Sequence, residues 1–169
     1  MRSRLKIAGV GSAAAAISLA GVLAIKQVGG FEGLRLAAYR DVVGVWTACY
    51  GETKGIKKSM RFSKATCDNL LIDRLVEHEQ GMRTCIGEVN ADRIPDKSYV
   101  AFVSLTYNIG VAGFCSSSVR AAADSGRLRS ACDAILRFNK GGKPRREIAG
   151  LTRRREAEKT LCYQGVMNL

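Results

Sequence analysis

One uncharged run near the N-terminus limits what this chain of 169 residues can become. Residues 7–25 read IAGVGSAAAAISLAGVLAI, and Arg2, Arg4 and Lys6 precede them. As an α-helix the run would be about 28 Å long, close to the thickness of a bilayer's hydrocarbon core. The positive residues on its N-terminal side predict an N-terminus in the cytoplasm, with the rest of the chain exported.

The composition of this run predicts a weak membrane anchor. Most of its residues are Ala, Gly or Ser, and only seven are Ile, Leu or Val. At about −0.3 to −0.6 kcal/mol for each large aliphatic side chain, the term that favours insertion is roughly −2 to −4 kcal/mol. A cleaved signal peptide, with Val22 and Ala24 before the cut, is an alternative, although the run exceeds the usual length of such apolar regions.

The rest of the chain is long enough for one good hydrophobic core. A glycine pair within residues 26–31 predicts a joint, so we expect an anchor segment and joint over 1–29 and a folded domain over 30–169. Lys and Arg number 27 against 15 Asp and Glu, which gives a formal charge of +12. This charge favours nucleic acid, anionic lipid or an acidic wall polymer as partner, and export argues against nucleic acid.

The cysteines and histidine limit the chemistry of the chain. His78 is the single histidine and lies between two glutamates, where we expect it to be solvated. The inventory is poor for zinc, so we expect neither a metal site nor a cofactor. Six dispersed cysteines fit a disulfide framework in an oxidising compartment, or small buried hydrophobes in a cytosolic one, and their pairing stays open: Cys49, Cys67, Cys85, Cys115, Cys132 and Cys162.

Hydrophobic periodicity predicts an α+β fold in which helix dominates. Residues 42–62 are rich in β-branched, aromatic and glycine residues, which predicts a small antiparallel β region with turns near Gly51 and Gly55. Ser63 or Thr66 is expected to cap the first of the following helices. These helices are predicted within residues 67–80, 98–110, 116–126, 127–142 and about 146–165. In the last, the arginine run 153–155 is expected to be a solvated face or a binding patch.

Glu32, Asp41 and Thr47 form the candidate site. Nine residues along one helix would put Asp41 on the face opposite Glu32, and an odd separation does the same in a strand. The two carboxyls can cooperate only if the chain turns back, and Gly33 can end a helix there. Paired carboxyls suit glycosidic cleavage, with Glu32 protonated in an apolar pocket that raises its pKa and Asp41 ionised. Thr47 would hold the attacking water.

These three residues and three longer blocks resemble the phage-type lysozymes, the endolysin family that includes the lysozymes of T-even phages. The blocks are YRDVVGVWTACYG from Tyr39, SLTYNIGVAGF at 104–114 and GLTRRREAEKTLC at 150–162. The resemblance implies a two-lobed, mostly helical lysozyme-like fold with a small sheet. It also implies hydrolysis of the β-1,4 bond between N-acetylmuramic acid and N-acetylglucosamine in peptidoglycan, for host cell lysis.

The resemblance also implies roles for individual residues. Glu32 would be the general acid, Asp41 the carboxylate that directs water, and Thr47 the residue that positions this water. The saccharide-lining positions of the family fall on Tyr107, Asn108 and Ser117, for which helix packing and capping are alternative roles. Glu52 departs from the family, because many relatives have histidine there, and we expect it to face water.

The N-terminal run resembles the signal-arrest-release segments of one branch of these endolysins. That resemblance implies export by the host secretion machinery, an inactive form tethered to the inner membrane through residues 7–25, and later release into the periplasm. Residues 1–31 contain no cysteine, so we expect activation by refolding rather than by disulfide exchange. We expect a monomer. The rival functions are a lytic transglycosylase, which would not need Asp41 or Thr47, and a non-enzymatic tethered protein that binds the cell wall.

Overall fold

The computed structural model describes residues 3–7, 16–41 and 44–167. These residues are mostly helical with short antiparallel β ladders, as the sequence predicts. The chain divides into two compact units. We call Arg4–Val76 the N-terminal unit, and we call Ser3 together with the residues from Glu77 onward the C-terminal unit.

The N-terminal unit contains two β ladders and a helix between them. Strand β1 (Lys6–Ile7) pairs antiparallel with β2 (Ala16–Ile17). Helix α1 (Leu19–Glu32) follows, and then β3 (Arg35–Arg40) pairs antiparallel with β4 (Trp46–Cys49). Helix α2 (Lys64–Ile86) begins in this unit, where Ser63 accepts a hydrogen bond from the Thr66 N–H at 3.0 Å. The predicted cap at Ser63 is therefore confirmed.

The N-terminal run differs from the predicted single helix. Its residues 8–15 lie outside the described residues, and the flanking residues form β1 and β2. Ser18 then begins α1, because its hydroxyl accepts a hydrogen bond from the Gly21 N–H at 3.0 Å. Within the described residues, no helix is both long and apolar enough to span a bilayer.

The glycines around Glu32 play different parts from one another. Gly29 and Gly30, predicted to form a joint, lie inside α1 instead. Gly33 ends the helix with a φ of 74° and donates its N–H to the Gly29 carbonyl at 3.1 Å, so the predicted turn after Glu32 is confirmed. This reversal starts the β region at Arg35, earlier than predicted.

Helix α4 (Asp96–Ile109) forms the centre of the C-terminal unit, and its residues from Ser98 to Thr106 are all buried. It packs against α8 (Ala149–Val166) so closely that a Cβ atom at Gly165 would lie 2.2 Å from the Ser98 Oγ. The other elements are α3 (Glu88–Asp92), α5 (Val111–Cys115), α6 (Ser118–Asp124), α7 (Leu128–Ala134), a 3₁₀ turn (Ile135–Phe138), β5 (Lys140–Gly141) and β6 (Arg146–Glu147).

All six cysteines lie in the described part of the chain and form three disulfides. Cys49 pairs with Cys67 inside the N-terminal unit. In the C-terminal unit, Cys85 pairs with Cys115 and Cys132 with Cys162. The predicted framework is confirmed, and each bond closes a loop inside one unit. Such bonds typically stabilise a fold by about 2–4 kcal/mol each.

The arginine run on α8 is largely buried, so its prediction as a solvated face is wrong. Arg155 and Glu158 are each 0% exposed, and Arg154 is also buried. The Arg154 Nε lies 3.2 Å from Glu158 Oε1, the Arg155 Nε lies 2.9 Å from Glu158 Oε2, and Ser104 of α4 donates its hydroxyl to the same carboxylate at 2.6 Å. Burial raises the pKa of Glu158, while the charge of Arg155 acts in the opposite direction.

Replacing Glu158 by glutamine should destabilise the protein strongly, because two buried guanidinium groups would lose the carboxylate that they share. Breaking a buried ion pair in this way typically costs about 3–5 kcal/mol. Denaturant unfolding of the Glu158→Gln variant measures this loss. Glu156→Gln, an exposed position on the same helix, is the control and should stay within about 0.5 kcal/mol. Equal midpoints for the two variants would contradict the role assigned to the cluster.

Candidate active site

Glu32 is the last residue of α1 and stands immediately before the turn at Gly33. The residue is exposed, whereas the sequence predicts an apolar environment for its carboxyl. Its location at a helix end that is followed directly by a hairpin does match the predicted reversal of the chain. The reversal brings Glu32 into the same compact unit as Asp41 and Thr47.

Asp41 directly follows β3 and organises the connection to β4. Its N–H donates to the Val45 carbonyl at 3.0 Å, and its carbonyl accepts from the Gly44 N–H at 3.0 Å. Its carboxylate accepts from the Val45 N–H at 2.8 Å. These bonds set the direction of the half-buried carboxyl group at the end of the hairpin, because a backbone N–H group holds one of its oxygens.

Thr47 lies within β4 opposite Tyr39 of β3 and is only 4% exposed. Its hydroxyl donates to the Val45 carbonyl at 3.1 Å. A hydroxyl oxygen also has two acceptor lone pairs, which are the groups that positioning a water would use. Asp41 and Thr47 therefore belong to one hairpin, in which Arg40 pairs with Trp46 between them.

The segment after Thr47 is fastened by backbone and side-chain bonds. Ala48 and Glu52 exchange two backbone hydrogen bonds of 2.9 Å each. The Glu52 side chain is 10% exposed, with Oε2 located 3.3 Å from the Arg74 Nε of α2. Its other oxygen accepts from the N–H groups of Thr53 at 2.9 Å and Lys54 at 2.7 Å. The prediction that Glu52 faces water is therefore wrong, because its carboxylate closes this turn.

Tyr50 is a buried residue of this segment that sequence reasoning missed. Its hydroxyl donates to Asp68 Oδ1 of α2 at 2.8 Å. Burial raises the pKa of the phenol above its ordinary value, and Asp68 raises it further, so the hydroxyl remains a donor at neutral pH. The only sequence signal was its location between Cys49 and Gly51.

The predicted saccharide residues lie in the C-terminal unit. Tyr107 and Asn108 are at the end of α4, with Asn108 exposed. The Tyr107 ring lies 5.0 Å from the ring of half-buried His78, so the expectation of a fully solvated His78 is wrong. Ser117 is buried and caps α6, since its hydroxyl accepts from the Arg120 N–H at 3.0 Å. The capping alternative is thus observed for Ser117.

The described residues hold no group of three or more His, Cys, Asp or Glu side chains that could bind a metal ion.

Comparison with known proteins shows the family. The family model for phage lysozyme matches residues 29–158. The chain belongs to the phage lysozyme family. This match covers α1 from Gly29 onward and all three candidate catalytic residues.

Individual relatives extend the comparison over most of the chain. The SAR-endolysin of Enterobacteria phage P21 is 34% identical over 157 residues, covering 89% of each chain. The SAR-endolysin of Bacteriophage PS119 is 36% identical over 154 residues, covering 89% of this chain and 88% of that one. A solved structure of a mutant P22 lysozyme has a TM-score of 0.72 and 30% identity, covering 83% of this chain and 95% of the other. The fold is therefore lysozyme-like, and glycoside-hydrolase activity is supported at the level of the family.

Two substitutions at Glu52 should separate its turn contacts from its ion pair. Glu52→Ala removes the acceptor for two backbone N–H groups and should lower the free energy of unfolding by about 1–3 kcal/mol. Glu52→Gln keeps an acceptor oxygen and loses only a partly exposed pair with Arg74, so we expect a loss below about 1 kcal/mol. Urea titration of both variants checks this order. Equal losses in the two variants would show that the ion pair, which both remove, dominates.

Proposed function

We propose that this protein is an endolysin that hydrolyses the β-1,4 bond between N-acetylmuramic acid and N-acetylglucosamine in peptidoglycan and so lyses the host cell. The observation that carries the proposal is the location of Glu32 at the end of α1, with Asp41 and Thr47 on the hairpin that follows within one compact unit. Membership of the phage lysozyme family supports the same reaction class.

The proposed mechanism gives each of the three residues one task. Glu32 donates a proton to the glycosidic oxygen as the bond breaks. Asp41, from its fixed orientation in the hairpin, directs a water toward the sugar carbon and takes up the proton that this water loses. The Thr47 oxygen accepts a hydrogen bond from that water. Because Glu32 is exposed, its removal from bulk water must come from the bound glycan, which covers the carboxyl during the reaction.

Tyr107 and Asn108 are the proposed saccharide contacts in the C-terminal unit, since both stand at the end of α4 and neither is fully buried. The buried, capping position of Ser117 gives its predicted contact less support. The positive formal charge of +12 favours attraction to an acidic wall polymer. We propose that the released enzyme acts on the wall as a monomer.

We also propose that residues 7–25 hold the exported enzyme at the inner membrane until they leave it. Here Leu5 is buried, its carbonyl accepts from the Ser18 N–H at 3.0 Å, and the Ser18 hydroxyl donates to the Arg4 carbonyl at 2.5 Å. A helix that spans the bilayer over residues 7–25 must give up these contacts and the β1–β2 ladder. The tethered and the described arrangements are therefore mutually exclusive.

The membrane potential would control this exit. Arg2, Arg4 and Lys6 must cross against an inside-negative potential. At about 2.3 kcal/mol per charge per 100 mV, three charges amount to roughly 7 kcal/mol at 100 mV, which exceeds the small free energy that favours insertion. Collapse of the potential therefore favours release into the periplasm.

Depolarisation should move the protein from the membrane fraction to the soluble fraction. Replacing Gly11 and Ser12 by leucine makes the anchor more apolar and should keep the variant in the membrane after depolarisation. Fractionation shows whether each protein has left the membrane. Mass measurement of the soluble protein then distinguishes release of the intact chain from cleavage of a signal peptide, which would leave a shortened chain. Wild-type protein that remains membrane-bound without a potential would contradict the release model.

Glu32→Gln in the full chain should lower the clearing rate of purified peptidoglycan more than about 100-fold, because the amide cannot protonate the leaving oxygen. Glu147→Gln, an exposed carboxyl on β6, is the matched control and should keep its activity. Product analysis should find reducing muramic acid ends. Anhydro ends would identify a lytic transglycosylase. Equal clearing by wild type and Glu32→Gln would exclude Glu32 as the acid, and absence of clearing by both would favour a binding role.

A further inference from the structure

One tyrosine joins the element that ends at Glu32 to the element that carries Thr47. Tyr50 lies three residues after Thr47 and is 8% exposed. Gly29 lies in α1 three residues before Glu32, close to one helical turn. A Cβ atom at Gly29 would be 2.9 Å from Cε1 and 3.3 Å from Cζ of the Tyr50 ring. The helix can therefore approach the ring this closely only with glycine at 29.

The Tyr50 ring is held at its far end and cannot easily move away from α1. Its hydroxyl donates to Asp68 Oδ1 at 2.8 Å, and the other oxygen of Asp68 lies 2.6 Å from the Lys64 Nζ. The preceding residue, Cys49, is bonded to Cys67, the residue before Asp68. Side chain and backbone are thus both fastened to the first turns of α2.

The backbone between Thr47 and Tyr50 is equally constrained. Cys49 has a φ of 57°, a left-handed conformation that a residue with a side chain adopts only when its surroundings impose it. The two 2.9 Å backbone bonds between Ala48 and Glu52 enclose this residue. A displacement of Tyr50 would therefore be transmitted to β4.

The neighbouring glycine gives an internal comparison. Gly29 and Gly30 both lie inside α1, where glycine is among the least favourable residues. A Cβ atom at Gly30 would meet nothing within 4 Å, whereas one at Gly29 meets the ring. The contact with Tyr50 is thus specific to Gly29 and is not a general property of the glycines in α1.

We propose that Tyr50 is a positioning residue, whose ring against Gly29 sets the distance between the end of α1 that carries Glu32 and the strand that carries Thr47. The inference rests on the proposed glycosidase function. Neither Tyr50 nor Gly29 touches the glycan in this proposal. The two residues act through the acid and through the threonine that holds the water.

The test compares Gly29→Ala with Gly30→Ala in the full chain. The methyl group at 29 displaces α1 from the ring, so kcat on soluble peptidoglycan fragments should fall about 10- to 100-fold while KM changes less than about two-fold. Gly30→Ala should keep both constants within about two-fold. Thermal unfolding of each variant, well above the assay temperature, shows that the measured protein is folded. Equal kcat values for the two alanine variants would overturn the proposal.

Variants at Tyr50 test the ring itself. Tyr50→Phe keeps the ring and should keep kcat within about three-fold, whereas Tyr50→Leu removes the contact and should lower kcat about ten-fold or more. In the double variant Gly29→Ala with Tyr50→Leu, the smaller side chain at 50 relieves the overlap with the methyl group at 29. The fold loss of kcat in the double variant should therefore be smaller than the product of the fold losses in the two single variants. Independent effects, or equal losses for phenylalanine and leucine, would overturn the proposal.

Failure of the positioning role is distinguishable from failure of the proposed function. If Glu32→Gln clears peptidoglycan as fast as wild type, Glu32 is not the acid and the proposed glycosidase mechanism fails. If Glu32→Gln is inactive and Gly29→Ala matches Gly30→Ala, the glycosidase stands and only the role of Tyr50 is lost.

Discussion

The attachment of residues 48–52 to α2 is the constraint on which the N-terminal unit depends. The Cys49–Cys67 disulfide, the Tyr50 hydroxyl on Asp68 and the Glu52 pair with Arg74 tie one short turn to one helix. This turn directly follows β4, and β4 pairs with β3 in the hairpin. The Tyr50 ring packs against α1 at Gly29. The elements that carry the proposed acid, carboxylate and threonine therefore all depend on residues 48–52. The side chains of Cys49, Tyr50 and Glu52 are in turn bonded to α2.

The C-terminal unit relies on a different interaction. Helices α4 and α8 pack at a distance that only Gly165 permits beside Ser98, and their interface contains the Arg154, Arg155 and Glu158 cluster. Buried charges contribute little net stability compared with well-packed apolar side chains, but they are costly to leave unpaired. The observed packing pairs these buried charges, and the Cys132–Cys162 bond joins α7 to the same helix.

Local signals in the sequence were reliable where the structure depends on neighbours in the chain. Gly33 ends α1 because glycine adopts a positive φ at little cost, and Ser63 begins α2 because its hydroxyl reaches the N–H three residues later. Periodicity located α4, and the even number of dispersed cysteines indicated a disulfide framework. The motif around Glu32, Asp41 and Thr47 led to the family, which the match over residues 29–158 shows.

The sequence by itself determined the boundaries at Gly33 and Ser63, the presence of a small antiparallel β region and the family, because these follow from contacts a few residues apart and from a motif in fixed order. Only the tertiary structure decided which cysteines pair, since pairing requires Cα atoms within about 7 Å. It also decided that Arg154 and Arg155 are buried, that Glu52 closes a turn, and that Gly29 receives a tyrosine ring. Arg155 carries the same charge, and Gly29 lacks a side chain, in every fold. The structural role of each residue depends on the partners that tertiary packing places against it.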